Sequence, residues 1–191
     1  MSELHLITTG GTGTYAIEEW GRPNWSESRL RAHTRSPSAP ATGDRVLYVF
    51  GDPRNQLLSF FHRGFMKAPY THCQNVNGNV NYLGTRKSWS LESYLQEEYD
   101  AYQLYEHLQG WLSHHARDYS IMFVRYEAIA KTSVRRQLRE FVGQYRPFEF
   151  KPRASNFEGL SASLRQSIDR MFSHMVLLTS QLPDVTEIRC Y

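Results

Sequence analysis

Chemistry in this chain would start from a glycine-threonine tract. Thr9-Gly10-Gly11-Thr12-Gly13-Thr14-Tyr15 lies between a short apolar run and a stretch of helical character. Glycines let the backbone close on a ligand, and successive N–H groups at a helix start form a cradle for an anion. A Walker A loop is excluded: it needs Gly-Lys-Ser/Thr, and no lysine precedes Lys67. Gly11-x-Gly13-x-x-Ala16 fits a dinucleotide fingerprint. That fold needs a second strand with a terminal acid within about 20 residues, and residues 22–34 do not read as one. A tight strand-to-helix turn with no ligand is the bland alternative. A second polar group, Gly51-Asp52-Pro53-Arg54 with Ser59, follows an apolar run. His33, Tyr126 and the pair Lys151 and Arg153 complete the candidates. A histidine can act as a base, a tyrosine can flank a nucleobase, and a basic pair can meet an anion.

Particular elements must hold these groups. Val46–Phe50 is short, β-branched and aromatic, as a strand buried on both faces requires. Gly51 breaks it, Asp52 can cap a helix, and Pro53 suits the first helical position. Leu57, Leu58, Phe61 and Phe65 continue at helical spacing. Leu4–Thr8 and Tyr119–Arg125 read as further strands, and Tyr15–Trp20 begins a helix. A helical turn is expected over Ser26–Leu30, an exposed loop over Ser36–Gly43, and an irregular segment over Met66–Lys87. One long helix is predicted from Ser90 to His115, its apolar face carrying Leu91, Tyr94, Leu95, Tyr102, Tyr105, Leu108 and Leu112. Another spans Ser133–Val142, with Gly143 as its C-cap, and a last one runs from Ser161 to Leu182, stopped by Pro183. Strands alternating with helices predict an α/β fold: one domain over residues 1–191, its central parallel sheet flanked by helices.

Composition narrows the partners. With 191 residues, 40% of them hydrophobic, the chain can build one real core. A net charge of +3 suits an anionic ligand, and no basic run points to nucleic acid. Cys73 and Cys190 are too far apart for a disulfide framework or a zinc site, so a reducing compartment and no metal are expected. No apolar run approaches the roughly 20 residues that span a bilayer. No secretory leader is visible either, and a cytoplasmic location is the expectation.

Taken in order, the blocks resemble the PAPS-dependent sulfotransferases. A strand followed by Arg-Asp-Pro-Arg and a helical serine is that family's 3′-phosphate block; Asp52, Pro53, Arg54 and Ser59 match it. Gly13-Thr14 matches the Gly-Thr of its 5′-phosphosulfate loop, which implies donor contacts from Gly10, Gly11, Thr12, Gly13, Thr14 and Tyr15. Arg31-Ala32-His33 is similar to the element that supplies the catalytic base, so the resemblance makes His33 the base. The stretch Ile121–Gly143 looks like the family's strand, Tyr-Glu and helix, with Tyr126 at the adenine. Phe150–Ser155 resembles the basic loop over the 3′-phosphate and gives Lys151 and Arg153 that role.

The resemblance implies a P-loop-like sulfotransferase fold and transfer of a sulfonate from 3′-phosphoadenosine 5′-phosphosulfate, without a metal. The acceptor would be a hydroxyl or amine on a small molecule or glycan. Because few residues separate the first loop from His33, the acceptor pocket is expected from Met66–Lys87 and the long helix. Two family cations are replaced, the loop lysine by Gly11 and the leading arginine by Gly51. Arg22, Arg31, Lys151 and Arg153 are candidate substitutes. Two alternatives stay open. One is a Rossmann-type NAD(P)-binding oxidoreductase or epimerase, whose usual Tyr-x-x-x-Lys pair is absent here. The other is a non-catalytic protein of the same fold that binds an anion or a partner.

Overall fold

The three continuous apolar runs form neighbouring strands of one sheet. In the computed structural model, which describes residues 3–21, 33–62, 76, 90–97, 99–115, 118–151 and 156–190, β1 (Leu4–Thr8), β2 (Arg45–Phe50) and β3 (Ser120–Arg125) lie side by side. Both pairings are parallel, with Leu4 opposite Arg45 and Arg45 opposite Ser120. Alternate residues feed two separate cores, which explains why the runs are largely apolar, the buried His5 and Thr8 of β1 apart. Ile7, Val46, Tyr48, Phe50, Ile121 and Phe123 face one core; Leu4, Leu6, Leu47, Val49, Met122 and Val124 face the other.

Helices cover both faces. On one side lie α1 (Thr14–Gly21) and α5 (Thr132–Val142), which bury Ile17, Trp20, Val134, Leu138 and Phe141. Gly143 ends α5 in the left-handed region at φ 73°. On the other side lie α2 (Pro53–His62), α3 (Leu91–Leu95), α4 (Leu104–Ser113), α6 (Ala162–Met171) and α7 (Ser173–Gln181). The expected α/β class with a central parallel sheet is therefore found.

Three details correct the sequence reading. The helix expected over Ser90–His115 is two helices. Asp100 separates them: its half-buried carboxylate accepts from the Tyr94 hydroxyl at 2.8 Å and from the Tyr102 and Leu104 N–H groups at 3.0 and 2.7 Å. Gln103 then turns through φ 52° to start α4. The final helix also breaks, at Phe172, whose ring is buried in the core. The sheet gains an unforeseen fourth strand, β4 (Val185–Ile188), antiparallel to β3 with Val124 opposite Val185. The turn expected over Ser26–Leu30 and the segment Met66–Lys87, Val76 apart, lie outside the described residues. Among the described residues, no helix is long and apolar enough to cross a membrane.

Candidate functional site

The carboxyl ends of β1, β2 and β3 bring the candidate groups to one edge, where open α/β sheets bind ligands. The glycine-threonine tract joins β1 to α1 there. Gly10, Gly11 and Gly13 have φ of 87°, 70° and 69°, conformations that residues with a side chain rarely adopt. The Thr8 hydroxyl lies 2.8 Å from the Thr14 hydroxyl and accepts from the Gly10 N–H at 3.0 Å, so the loop curls back on its own strand. Gly11 lies against α2: a Cβ there would stand 3.2 Å from the Gln56 Cα. Gly13 lies under Tyr126, where a Cβ would come within 2.7 Å of the ring. The Gln56 side-chain amide donates to the Thr9 hydroxyl at 3.2 Å. Thr12 Oγ1, Gln56 Oε1 and Glu127 Oε2 are buried with no hydrogen-bond partner among the described residues. Such atoms mark a place that water or a ligand group would satisfy. Tyr15, in the first turn of α1, is 68% exposed.

His33 joins this edge from 25 residues away in the sequence. Its Nδ1 donates to the Thr8 carbonyl at 2.6 Å, at the point where β1 gives way to the loop. Burial holds the imidazole below its ordinary pKa, although the Thr8 carbonyl and the charge of Glu18 pull the other way. With the proton on Nδ1, the ring's lone pair is on Nε2. The chain around His33 is pinned from α4 and from the residue before β3: the Trp111 indole donates to the Thr34 carbonyl at 3.1 Å, and the Tyr119 hydroxyl to the Pro37 carbonyl at 2.6 Å. Arg31 lies outside the described residues.

At the end of β2, Asp52 caps α2 through its carboxylate, which accepts the Arg54 N–H at 2.9 Å. The same carboxylate takes the Arg54 guanidinium, with Nη2 to Oδ2 at 2.6 Å. Arg54 also lies over the Phe157 ring, 5.0 Å from its centroid, and pairs with Asp169 at 3.4 Å. Its charge is thus engaged by Asp52 and Asp169. Ser59 is half-buried on α2. Gly51 is crowded where the arginine of the family pattern would leave the backbone. A Cβ there would stand 3.1 Å from Glu127 Oε1 and 3.3 Å from Thr12 Cγ2. Glu127 Oε1 accepts the Asp52 N–H at 3.0 Å.

Tyr126 opens a 3₁₀ turn after β3, is 7% exposed, and meets Phe150 edge-to-face with centroids 5.2 Å apart. Lys151 follows Phe150 and is exposed; Arg153 and Arg22 lie outside the described residues. Gly10–Tyr15, His33, Gly51 and Tyr126 therefore converge, whereas Arg54 is engaged by its acidic partners. Sequence reasoning missed Glu127 as the carboxylate at the start of α2. The Tyr-Glu pair was visible, but its contact partner lies 75 residues away in the chain.

A cleft of about 270 Å³ opens near Arg45, Ser120, Glu140 and Glu187. It sits at the amino ends of β2 and β3, mixed surface charges line it, and none of the described candidate residues is among its lining.

The sulfotransferase domain model matches residues 22–147, about two thirds of the chain. The match takes in β2, α2, β3 and α5 with His33, Arg54, Ser59 and Tyr126. The glycine loop, Lys151 and Arg153 lie outside it. No curated protein matches this chain. The matched span holds the two most specific motif blocks in their family order, and the chain belongs to the sulfotransferase domain family.

Proposed function

We propose that this chain, as a single domain, transfers a sulfonate from 3′-phosphoadenosine 5′-phosphosulfate to a hydroxyl or amine of a small-molecule or glycan acceptor in the cytoplasm. One observation carries the reading: the His33 ring is hydrogen-bonded to the last residue of β1, beside the glycine loop, so that a base and an anion cradle share one strand end. In the proposed reaction the acceptor oxygen attacks sulfur in line with the leaving phosphate. The acceptor O–S bond forms and the S–O bond to the 5′-phosphate breaks. The acceptor proton passes to His33 Nε2, and adenosine 3′,5′-bisphosphate departs with the bonding electron pair. Backbone N–H groups of Gly11–Thr14 and the start of α1 are suited to the charge that develops on that phosphate. Burial keeps His33 in its neutral, proton-accepting form at neutral pH.

In this reading the 5′ end of the donor lies on the loop, and the 3′ end must draw its charge from other residues. Gly51 carries no charge, and Arg54 is engaged by Asp52. The 3′-phosphate would rest on Ser59, Lys151 and Arg153, each basic contact giving roughly 1.5–3 kcal/mol. Calorimetry with adenosine 3′,5′-bisphosphate against adenosine 5′-phosphate tests this. The wild type should prefer the bisphosphate, and Lys151→Ala with Arg153→Ala should erase most of that preference. Sulfonate transfer should vanish in His33→Ala. Equal affinity for the two nucleotides, with no transfer, would favour the second reading: an anion-binding member of the family without activity. The crowding of Glu127 onto Gly51 is the observation that favours it.

A further inference from the structure

We propose that His107 is a positioning residue for His33, holding the backbone of residue 33 so that the imidazole stays fixed against the end of β1. The proposal rests on the reading of His33 as the base. Its ground is a chain of hydrogen bonds crossing the core. Tyr48, on β2, is 1% exposed, and its hydroxyl lies 2.8 Å from Nδ1 of His107 on α4. His107 is fully buried, and its Nε2 lies 3.4 Å from the carbonyl oxygen of His33. His33 Nδ1 then reaches the Thr8 carbonyl at 2.6 Å.

Chemistry fixes the direction of each bond. A carbonyl oxygen can only accept, so His107 carries its proton on Nε2 and His33 on Nδ1. Nδ1 of neutral His107 is then an acceptor, and the Tyr48 hydroxyl donates to it. Burial raises the Tyr48 pKa well above its ordinary value, which keeps that proton in place. Burial likewise holds His107 down to about 4, and the charges of Arg35 and His33, which face the ring, also disfavour its protonation. Tyr48 thus sets the tautomer of His107, and the tautomer sets the donor that meets residue 33.

The 3.4 Å contact is long, and it does not act alone. Trp111, one turn further along α4, holds the next carbonyl, that of Thr34, and Gln103, at the start of α4, accepts from Arg35. Three consecutive residues, 33 to 35, are therefore fastened to one helix. Leucine would fill the volume of His107 without the cost of burying two ring nitrogens. The histidine adds a directed donor.

The test compares His107→Leu, His107→Gln and Tyr48→Phe. Leucine removes the donor, glutamine keeps an N–H near the position of Nε2, and phenylalanine removes only the group that sets the tautomer. NMR of ring-labelled histidine reads the His33 titration midpoint whether or not the chain transfers sulfonate. The midpoint should move by about one pH unit in His107→Leu and return in His107→Gln. Where transfer is measurable, kcat should fall about 10- to 100-fold in His107→Leu. KM for the donor should hold, the acid limb of the rate profile should move with the midpoint, and glutamine should restore most of the rate. A folded His107→Leu protein with an unmoved His33 midpoint overturns the proposal. If that variant does not fold, Tyr48→Phe decides by the same titration: a moved midpoint supports the proposal and an unmoved one ends it. A wild type that transfers nothing while the His33 midpoint responds to His107 would fail the reading of His33 as base and leave the positioning contact standing.

Discussion

Position 51 shows how a single residue can close off a simple repair. The family's arginine is missing there, and restoring it as Gly51→Arg is the obvious attempt to strengthen nucleotide binding. The site is crowded by Glu127 and Thr12, at 3.1 and 3.3 Å from where a Cβ would stand, so both side chains would have to shift. Overpacking of this kind costs about 1–3 kcal/mol. Gly51→Arg should therefore lower stability in urea titration without raising affinity for adenosine 3′,5′-bisphosphate; a gain in affinity at unchanged stability would refute the crowding argument. Gly13 is constrained twice over, by φ 69° and by the Tyr126 ring 2.7 Å from its absent Cβ. Gly13→Val should displace Tyr126 as well as block the loop. The readout is loss of nucleotide binding together with a lower melting temperature, and a variant that binds normally would discount the loop as the anion site.

At the scale of elements, the Asp100 carboxylate decides where α4 begins. It accepts three hydrogen bonds, from the Tyr94 hydroxyl and the N–H groups of Tyr102 and Leu104. Asp100→Ala leaves three donors to find partners in a buried place, and a loss of about 2–4 kcal/mol is expected. Chemical denaturation gives the number, and a loss below about 0.5 kcal/mol would contradict the capping role. The break was illegible in the sequence because Leu91 to Leu112 keep a helical period straight through it, while the interruption comes from burial of one acid in tertiary structure. The strands were legible because burial on both faces forces unbroken apolar runs, which short helices do not need. β4 was not, since Val-Thr-Glu-Ile is a four-residue edge strand with two exposed positions. In the candidate site, the loop stood out by residue type and His33 by the family resemblance. The Glu127 contact and the Tyr48–His107 chain could not, because they join residues 75 and 59 positions apart.

For the molecule as a whole, two desolvated groups pull the pH dependence of stability in opposite directions. His107 is held by burial at about 4, below its ordinary 6.5. Its contribution is whole above 6.5 and is lost as pH falls towards 4. Asp100 is held by burial at about 6, above its ordinary 3.8. Its contribution is whole below 3.8 and is lost as pH rises through about 6. Between these values the two contributions oppose each other, and His33, also held low by burial, acts in the same sense as His107. His107→Gln should lose stability as pH rises across that window, and Asp100→Asn should lose it as pH falls. Melting temperatures at four or five pH values would check this, and matching slopes in the two variants would contradict the assignment. The fourth strand has a consequence of a different kind, for the order of synthesis. β3 pairs with β4 from Ile121 to Ile188, and the Arg125 N–H is held by the Asp184 carbonyl at 2.8 Å. Until residues 185–188 have been made, a growing chain that has already paired β1, β2 and β3 carries the free side of β3 as an open strand edge. Such an edge can recruit another nascent chain on the same message. The short antiparallel return therefore acts late, as a closing seam against self-association during translation.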